Sequence, residues 1–473
     1  MQRILKKSIF KKVQKTTKMK KRYGYMLFKR YVRLFFDHLL FRHHYILGKE
    51  NMPAVGEPCI IPANHHNTAI DPIAMVLSHP QPVHPYVLAM GGVFTWSEII
   101  NAFWDWVGML PAFRMDYEGV DEALKRTKYV VDFAASKMIE GYPVMLFPEM
   151  NHHEEHWMRV WTPGFLEIAF KAAEKMNFEK DVKVIPLADH YSSYYGMRGS
   201  YLLRYGEPFS LMPYYEQYKA KPRTTMRELH PIIRERVKEM MLYTDDLEHH
   251  DLYDFLRQTK AGDEYAEQLG LKPEYLPERL ESDKKLWADI EDGLANKADG
   301  QQIVDEMEVT WKEILASEKK LRIREHASEK KRMSVPAIVG SVLVQLALLP
   351  LWIVSLFPSA IMYFVPPMFM PGREDRYYKL YDQAMQLIVT LVVIMPIFSL
   401  TALLVLGLVW GWWWQAVVWI LLWLPMAIFA WHEGQWMHRT IEQIRLRCHK
   451  EEASKLDALY EKLYKLLKKL IRK

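Results

Sequence analysis

Apolar and polar positions follow three rhythms along this chain. Between residues 45 and 221, short apolar runs are separated by longer stretches with helical spacing. Cys59-Ile60-Ile61, Tyr86-Val87-Leu88, Val144-Met145-Leu146-Phe147 and residues 182–187 form the runs. Such short, unbroken apolar segments suit strands covered on both faces of a sheet. Residues 120–139 and 163–176 carry their apolar positions at helical spacing, and residues 201–205, followed by Gly206-Glu207-Pro208, read as a later strand and its turn. This alternation predicts an α/β domain, a mixed sheet covered by helices, with functional side chains where strands end and loops begin.

The second rhythm occupies residues 222–332. Thr225-Met226-Arg227-Glu228 has the capping-box pattern that opens a helix, Glu and Lys dominate from Glu248 onward, and residues 301–331 read as one long charged helix. A charged helical extension is expected. The third rhythm is almost purely apolar, from residue 333 to 431. Met333 to Met370 holds no charge but is interrupted by Pro336, Pro350, Pro358, Pro366 and Pro367, so residues 335–370 are expected to be re-entrant or interfacial. Residues 387–409 and 413–431 are uncharged runs worth about 34 Å and about 28 Å as helices, enough for two spans. Trp410, Trp412, Trp413 and Trp414 surround Gly411 between them, as a tight turn at an aromatic belt requires. Residues 432–473 form a basic amphipathic helical tail, with Leu456, Leu459, Tyr460, Leu463, Leu466, Leu467 and Leu470 at helical spacing.

Charge matters here through its location. Lys and Arg total 63 against 57 acids, yet Arg3, Lys6, Lys7, Lys11, Lys12, Lys15, Lys18, Lys20, Lys21 and Arg22 all precede the first acid, Asp37. Anionic lipid attracts such a run by about 1 kcal/mol per residue. No nucleic-acid recognition motif accompanies it, so a membrane surface is the expected partner, and no cleavable signal peptide is expected. Tyr23, Tyr25, Met26, Phe28, Tyr31, Leu34, Phe35, Leu39 and Phe41 follow, interleaved with Lys29, Arg30, Arg33 and Arg42. Residues 1–44 therefore read as a basic amphipathic membrane-interface segment, or as a helix packed on the next domain. Cys59 and Cys448 lie in no disulfide or zinc pattern. His152, His153, Glu154, Glu155 and His156 are too close in sequence to converge on one ion without partners elsewhere, and no metal is expected.

The candidate chemistry lies in residues 63–72, Ala-Asn-His-His-Asn-Thr-Ala-Ile-Asp-Pro. An imidazole takes a proton from a hydroxyl near neutral pH, and a carboxylate fixes its tautomer and stabilises the imidazolium. Asp71 is that carboxylate; His65 and His66 are both candidates for the base. Residues 108–114 (Gly-Met-Leu-Pro-Ala-Phe-Arg), 146–149 (Leu-Phe-Pro-Glu) and 184–187 (Val-Ile-Pro-Leu) follow in order. Together the four segments resemble the sequence blocks of the glycerophospholipid acyltransferase superfamily, nearest to a bacterial branch resembling 1-acylglycerol-3-phosphate acyltransferases. The superfamily's commoner spacing selects His66; the nearer branch selects His65, directly after Asn64.

The resemblance implies a membrane-bound O-acyltransferase that moves a fatty acyl group from acyl-CoA or an acyl carrier protein to a glycerol-phosphate acceptor, 1-acylglycerol 3-phosphate being the expected one. No cofactor beyond the acyl donor as co-substrate is implied. Arg114 would bind the phosphate, a role suited to a guanidinium fork. Asn67, Phe147, Pro148, Glu149, Asn151, His152 and Pro186 would line the substrate site, and Arg159 would bind phosphate or donor unless it forms a structural ion pair. Met150 departs from the family pattern, which has glycine there. That leaves glycerol 3-phosphate or an acylated amino-acid lipid as competing acceptors, and an inactive membrane scaffold as a competing role. The catalytic domain and the tail are expected on the cytoplasmic side of the inner membrane.

Overall fold

The structure, a computed structural model, describes residues 24–80, 83–90, 97–112, 120–360, 362 and 381–472. The basic arm before residue 24, Arg114, and most of residues 361–380 lie outside these. The chain divides into two compact units, Met1–Met241 with Gly372–Ala384, and Leu242–Pro371 with Met385–Lys473.

The first unit opens with helix α1 (Tyr25–Phe35), extended by a π turn to Leu40. Tyr25, Val32, Phe35, Phe36, Leu39 and Leu40 are buried while Met26, Leu27 and Leu34 face outward. One face thus packs on the domain, and Met26, Leu27 and Leu34 stand with Arg30 and Arg33 on the other. Strand β1 (Phe41–Leu47) follows, earlier than the expected domain start at residue 45, because it pairs in parallel with β8 (Gly199–Tyr205), a partner no local pattern reveals. In chain order between them come β2 (Cys59–Pro62), α2 (Ile70–Ser78), β3 (Tyr86–Met90), α3 (Glu98–Val107), β4 (Met109–Ala112), α4 (Val120–Ile139), β5 (Val144–Leu146), α5 (Gly164–Lys175), β6 (Lys183–Val184) and β7 (Leu187–Tyr191).

Six strands run in the order β4-β3-β5-β2-β6-β9, all parallel except β9 (Phe209–Ser210), and a smaller sheet runs β1-β8-β7. A bridge, Ala63 to Leu187, joins them. The run 182–187, expected as one strand, is two. Pro186 has no N–H to donate to a ladder, and the chain crosses from one sheet to the other there. β2 is central and wholly buried, with α5 packed against it.

Helix α6 (Tyr215–Ala220) and helix α7 (Pro222–Lys238) follow in this unit. The expected capping box does not cap. Pro222 starts the helix, and Thr225 is buried inside it with Oγ1 donating to the Lys221 carbonyl at 3.0 Å.

The second unit holds α8 (His250–Gln258), α9 (Lys260–Gln268), α10 (Leu276–Asn296) and α11 (Gly300–Leu321). The long helix expected to reach residue 331 stops at Leu321, where Arg322 turns left-handed at φ 52°. Among the described residues three apolar helices are long enough to cross a membrane: Val335–Ser359, Gln383–Val409 and Trp413–Cys448. The first is a continuous helix within residues 335–370, the stretch expected to be re-entrant or interfacial. Pro336 sits in the first turn, where no N–H is required, and the helix continues through Pro350. Most of their side chains are exposed, Leu343, Leu346, Val392, Leu400 and Leu421 among them, as a lipid-facing surface requires.

These elements are α12 (Val335–Leu356), α13 (Tyr381–Val389), α14 (Met395–Ala402) and α15 (Trp413–Cys448), with π turns between and after α13 and α14. α12 runs antiparallel to α15: Ser341 Oγ lies 2.9 Å from Thr440 Oγ1, Trp352 donates to the Ala430 carbonyl and Trp423 to that of Pro358. α14 also runs back against α15, through the turn at Gly411 and the Phe398–Trp419 contact. The tail forms α16 (Lys450–Ile471), whose Leu456, Leu459, Tyr460, Leu463, Leu467 and Leu470 are buried, and which packs on α10 and α11. Its cations meet acids there, Lys462 with Glu306 at 2.9 Å and Lys469 with Asp299 at 2.6 Å.

Candidate active site

The loop from β2 to α2 carries the first motif. Asn64 anchors it: its Oδ1 accepts from the Asp189 N–H at 2.8 Å and its Nδ2 donates to Asp189 Oδ1 at 3.0 Å. The loop then brings His65 back onto the first turn of α2. His65 Nδ1 lies 2.7 Å from Asp71 Oδ2. Asp71 is wholly buried, and its position at a helix N-terminus favours its negative charge. It accepts two further hydrogen bonds, from the Asn67 backbone N–H at 2.8 Å and from Tyr191 Oη at 2.7 Å. Three donors thus hold this carboxylate in one orientation. Thr68 takes a left-handed φ of 44° in the same loop, a strained setting for a β-branched residue.

Of the two candidate bases, His65 makes the carboxylate contact. With Nδ1 turned to Asp71, its Nε2 is left for another partner, and the side chain is 16% exposed. His66 is buried and turned elsewhere: its Nδ1 lies 3.4 Å from Tyr194 Oη, and its ring packs against those of His153 and His156. Phe147 stacks on the His65 ring at 4.2 Å, and His152 meets it edge-on at 5.5 Å.

Glu149 is a bracket. One oxygen accepts from the His65 backbone N–H at 3.2 Å and the other from that of Arg159 at 3.0 Å, with His153 Nε2 3.3 Å away. This ties the first motif to the 148–162 loop, which also closes through Thr162 N–H and the Pro148 carbonyl. Arg159 forms no ion pair among the described residues; its guanidinium stands over the Trp157 ring at 5.3 Å. Asn151 donates its N–H to the Glu149 carbonyl. Pro186 contributes to the sheet crossing, its carbonyl accepting from Gly206 N–H. Met150 has φ 62° and is 43% exposed, so a position suited to glycine carries a side chain at the rim of this loop. Among the described residues no group of three His, Cys, Asp or Glu is placed to hold a metal ion.

Burial, then the charges of Asp71 and Glu149, push the Asp189 carboxyl well above the usual range, against the Asn64 hydrogen bond. Burial, then the charges of Asp71 and Asp189, push the Tyr191 phenol up, so it donates to Asp71 as a neutral hydroxyl. Tyr191 and Gln383, whose Oε1 accepts from Asn67 Nδ2 at 3.2 Å, carry no local sequence signal. They reach the site from 120 and 316 residues away.

A buried carboxylate and an imidazole oriented by it, with Nε2 unpaired among the described residues, can take a proton from a hydroxyl. The family model described as Acyltransferase matches residues 44–189, from β1 into β7, and so contains both His65 and Asp71. This supports the resemblance to the glycerophospholipid acyltransferase superfamily. No curated protein matches the chain. Among solved structures, the chain is similar to the 1-acyl-sn-glycerophosphate (LPA) acyltransferase PlsC from Thermotoga maritima, with 17% identity over 46% of this chain and 80% of that one and a TM-score of 0.33.

Proposed function

We propose that this chain is a membrane-bound O-acyltransferase that moves a fatty acyl group from a thioester, acyl-CoA or acyl carrier protein, to the free hydroxyl of 1-acylglycerol 3-phosphate. The observation that carries this reading is the 2.7 Å contact between His65 Nδ1 and the buried Asp71 carboxylate, inside the segment that matches the Acyltransferase family. His65 Nε2 takes the acceptor proton as the hydroxyl oxygen attacks the thioester carbonyl. Asp71 stabilises the imidazolium so formed. Collapse of the tetrahedral intermediate breaks the carbon–sulfur bond, and the thiolate leaves with the proton His65 had taken. The substrate hydroxyl is itself the nucleophile, so no acyl-enzyme is required.

Arg114, by family resemblance, holds the acceptor phosphate. Arg159, whose guanidinium forms no ion pair among the described residues, is a second cation for the phosphate or the donor. The three apolar helices support a membrane location. The catalytic unit and the tail are assigned to the cytoplasmic face, where acyl donors are made. The test is an acyl-transfer assay with purified protein in vesicles, crossing both donor types with 1-acylglycerol 3-phosphate, glycerol 3-phosphate and an acylated amino-acid lipid. Preference for 1-acylglycerol 3-phosphate supports the assignment. Preference for another acceptor replaces the substrate, and no transfer from any pair replaces the enzyme with a scaffold.

A further inference from the structure

Gln383 lies outside the residues matched to the Acyltransferase family, yet it is buried at 2% exposure against the first motif. Its amide is oriented without ambiguity. The Gly196 carbonyl can only accept, so Nε2 faces it at 2.6 Å, and Oε1 is left to accept from Asn67 Nδ2 at 3.2 Å. Asn67 is the residue whose backbone N–H donates to Asp71 Oδ2 and whose carbonyl accepts from Ile70 N–H at 2.8 Å. One residue therefore joins the dyad carboxylate to Gln383. The next residue is Thr68, at φ 44°, and a strained loop of this kind keeps its shape only when its surroundings over-determine it.

We propose that Gln383 is a positioning residue of the acyl-transfer site, holding Asn67 so that the 64–71 loop presents His65 to the substrate in register with Asp71. Gln383 is also the first residue of the apolar stretch Gln383–Val409. The segment that enters the membrane thus begins at the residue that fixes the first motif. The kinetic part of the inference rests on the acyl-transfer reading; the structural part does not.

Two variants of the full-length protein in vesicles test it, Gln383→Leu and Gln383→Glu. Gln383→Leu removes both hydrogen bonds and raises amide exchange across residues 64–71 by about tenfold or more while β5 stays protected. Its kcat falls about tenfold, with KM for donor and acceptor within about twofold of wild type. Gln383→Glu separates positioning from packing. A protonated carboxyl reproduces both bonds, whereas an ionised one opposes the Gly196 carbonyl beside Asp71. Its kcat relative to wild type therefore falls as pH rises from about 6 to about 8, while the Gln383→Leu ratio stays flat. Unchanged exchange in 64–71, or wild-type kcat in Gln383→Leu, overturns the inference. A wild-type protein that transfers no acyl group would remove the proposed function, and the exchange experiment alone would then decide on Gln383.

Discussion

Replacing Asp71 with Asn isolates the contribution of one buried charge. The three hydrogen bonds to Asp71 survive the substitution: the Asn oxygen can face His65 Nδ1 and the Asn67 N–H, and its amide can face Tyr191 Oη, which rotates to accept. The fold is therefore expected to persist, and the loss is electrostatic. An imidazolium and a carboxylate about 4 Å apart between charge centres attract by about 4 kcal/mol at an effective dielectric near 20. That bounds the effect at roughly a thousandfold in rate. General-base catalysis contributes about 100-fold or more by itself. Asp71→Asn is accordingly expected to lower kcat by about 100- to 1000-fold with little change in donor or acceptor KM. Transfer of labelled acyl groups to acceptor in vesicles measures this. His65→Ala should fall as far, and His66→Ala should not. Near-wild-type kcat in both Asp71→Asn and His65→Ala would refute the assigned chemistry.

Four other outcomes follow from the same structure. Tyr191→Phe removes one of three hydrogen bonds to the dyad carboxylate and should lower kcat about tenfold, less than Asp71→Asn; an equal or larger loss would make the phenol more than a support. Met150→Gly relieves about 1–2 kcal/mol of left-handed strain against about 0.5–1 kcal/mol of added chain entropy, so the unfolding midpoint should hold or rise slightly. A clear drop would show that the exposed side chain holds contacts. Burial pushes Glu318 up to about 7 despite hydrogen bonds from Tyr460 and the His326 N–H. Its folded value lies above its unfolded one, so its favourable neutral state is fully present below about pH 4.5 and lost as pH rises towards 7, a swing of about 3 kcal/mol. Glu318→Gln should raise the midpoint at pH 8 and leave it unchanged at pH 4; equal shifts at both would exclude titration as the cause. α12 and α14 both run antiparallel to α15, so both lead in from the end of α15 that carries Cys448. Cys59 is buried with its thiol pushed up to about 12. A membrane-impermeant thiol reagent should thus label only Cys448, and only after the inner membrane is opened; labelling of intact cells would place the tail outside.

Local pattern alone determined much of this protein. Residues 120–139 carry helical spacing end to end, and the helix has those same bounds, because one apolar face recurs without competing signals. The apolar runs at 59–61, 86–88 and 144–146 became parallel strands for the same reason, and apolar runs of membrane-spanning length declared themselves by composition. The His65 and Asp71 motif was legible because a loop and one helical turn bring its members together. Tertiary contact decided the rest. Whether His65 or His66 meets Asp71 depends on the path of a strained loop pinned by Asn64 and Glu149, which spacing does not encode. The tail's apolar stripe fits a bilayer surface and a helix pair equally well, and only the presence of α10 and α11 selects the latter. Tyr191 and Gln383 were silent, since a hydrogen bond between residues more than a hundred positions apart leaves no trace in either neighbourhood; the sheet and the chain's return supply it.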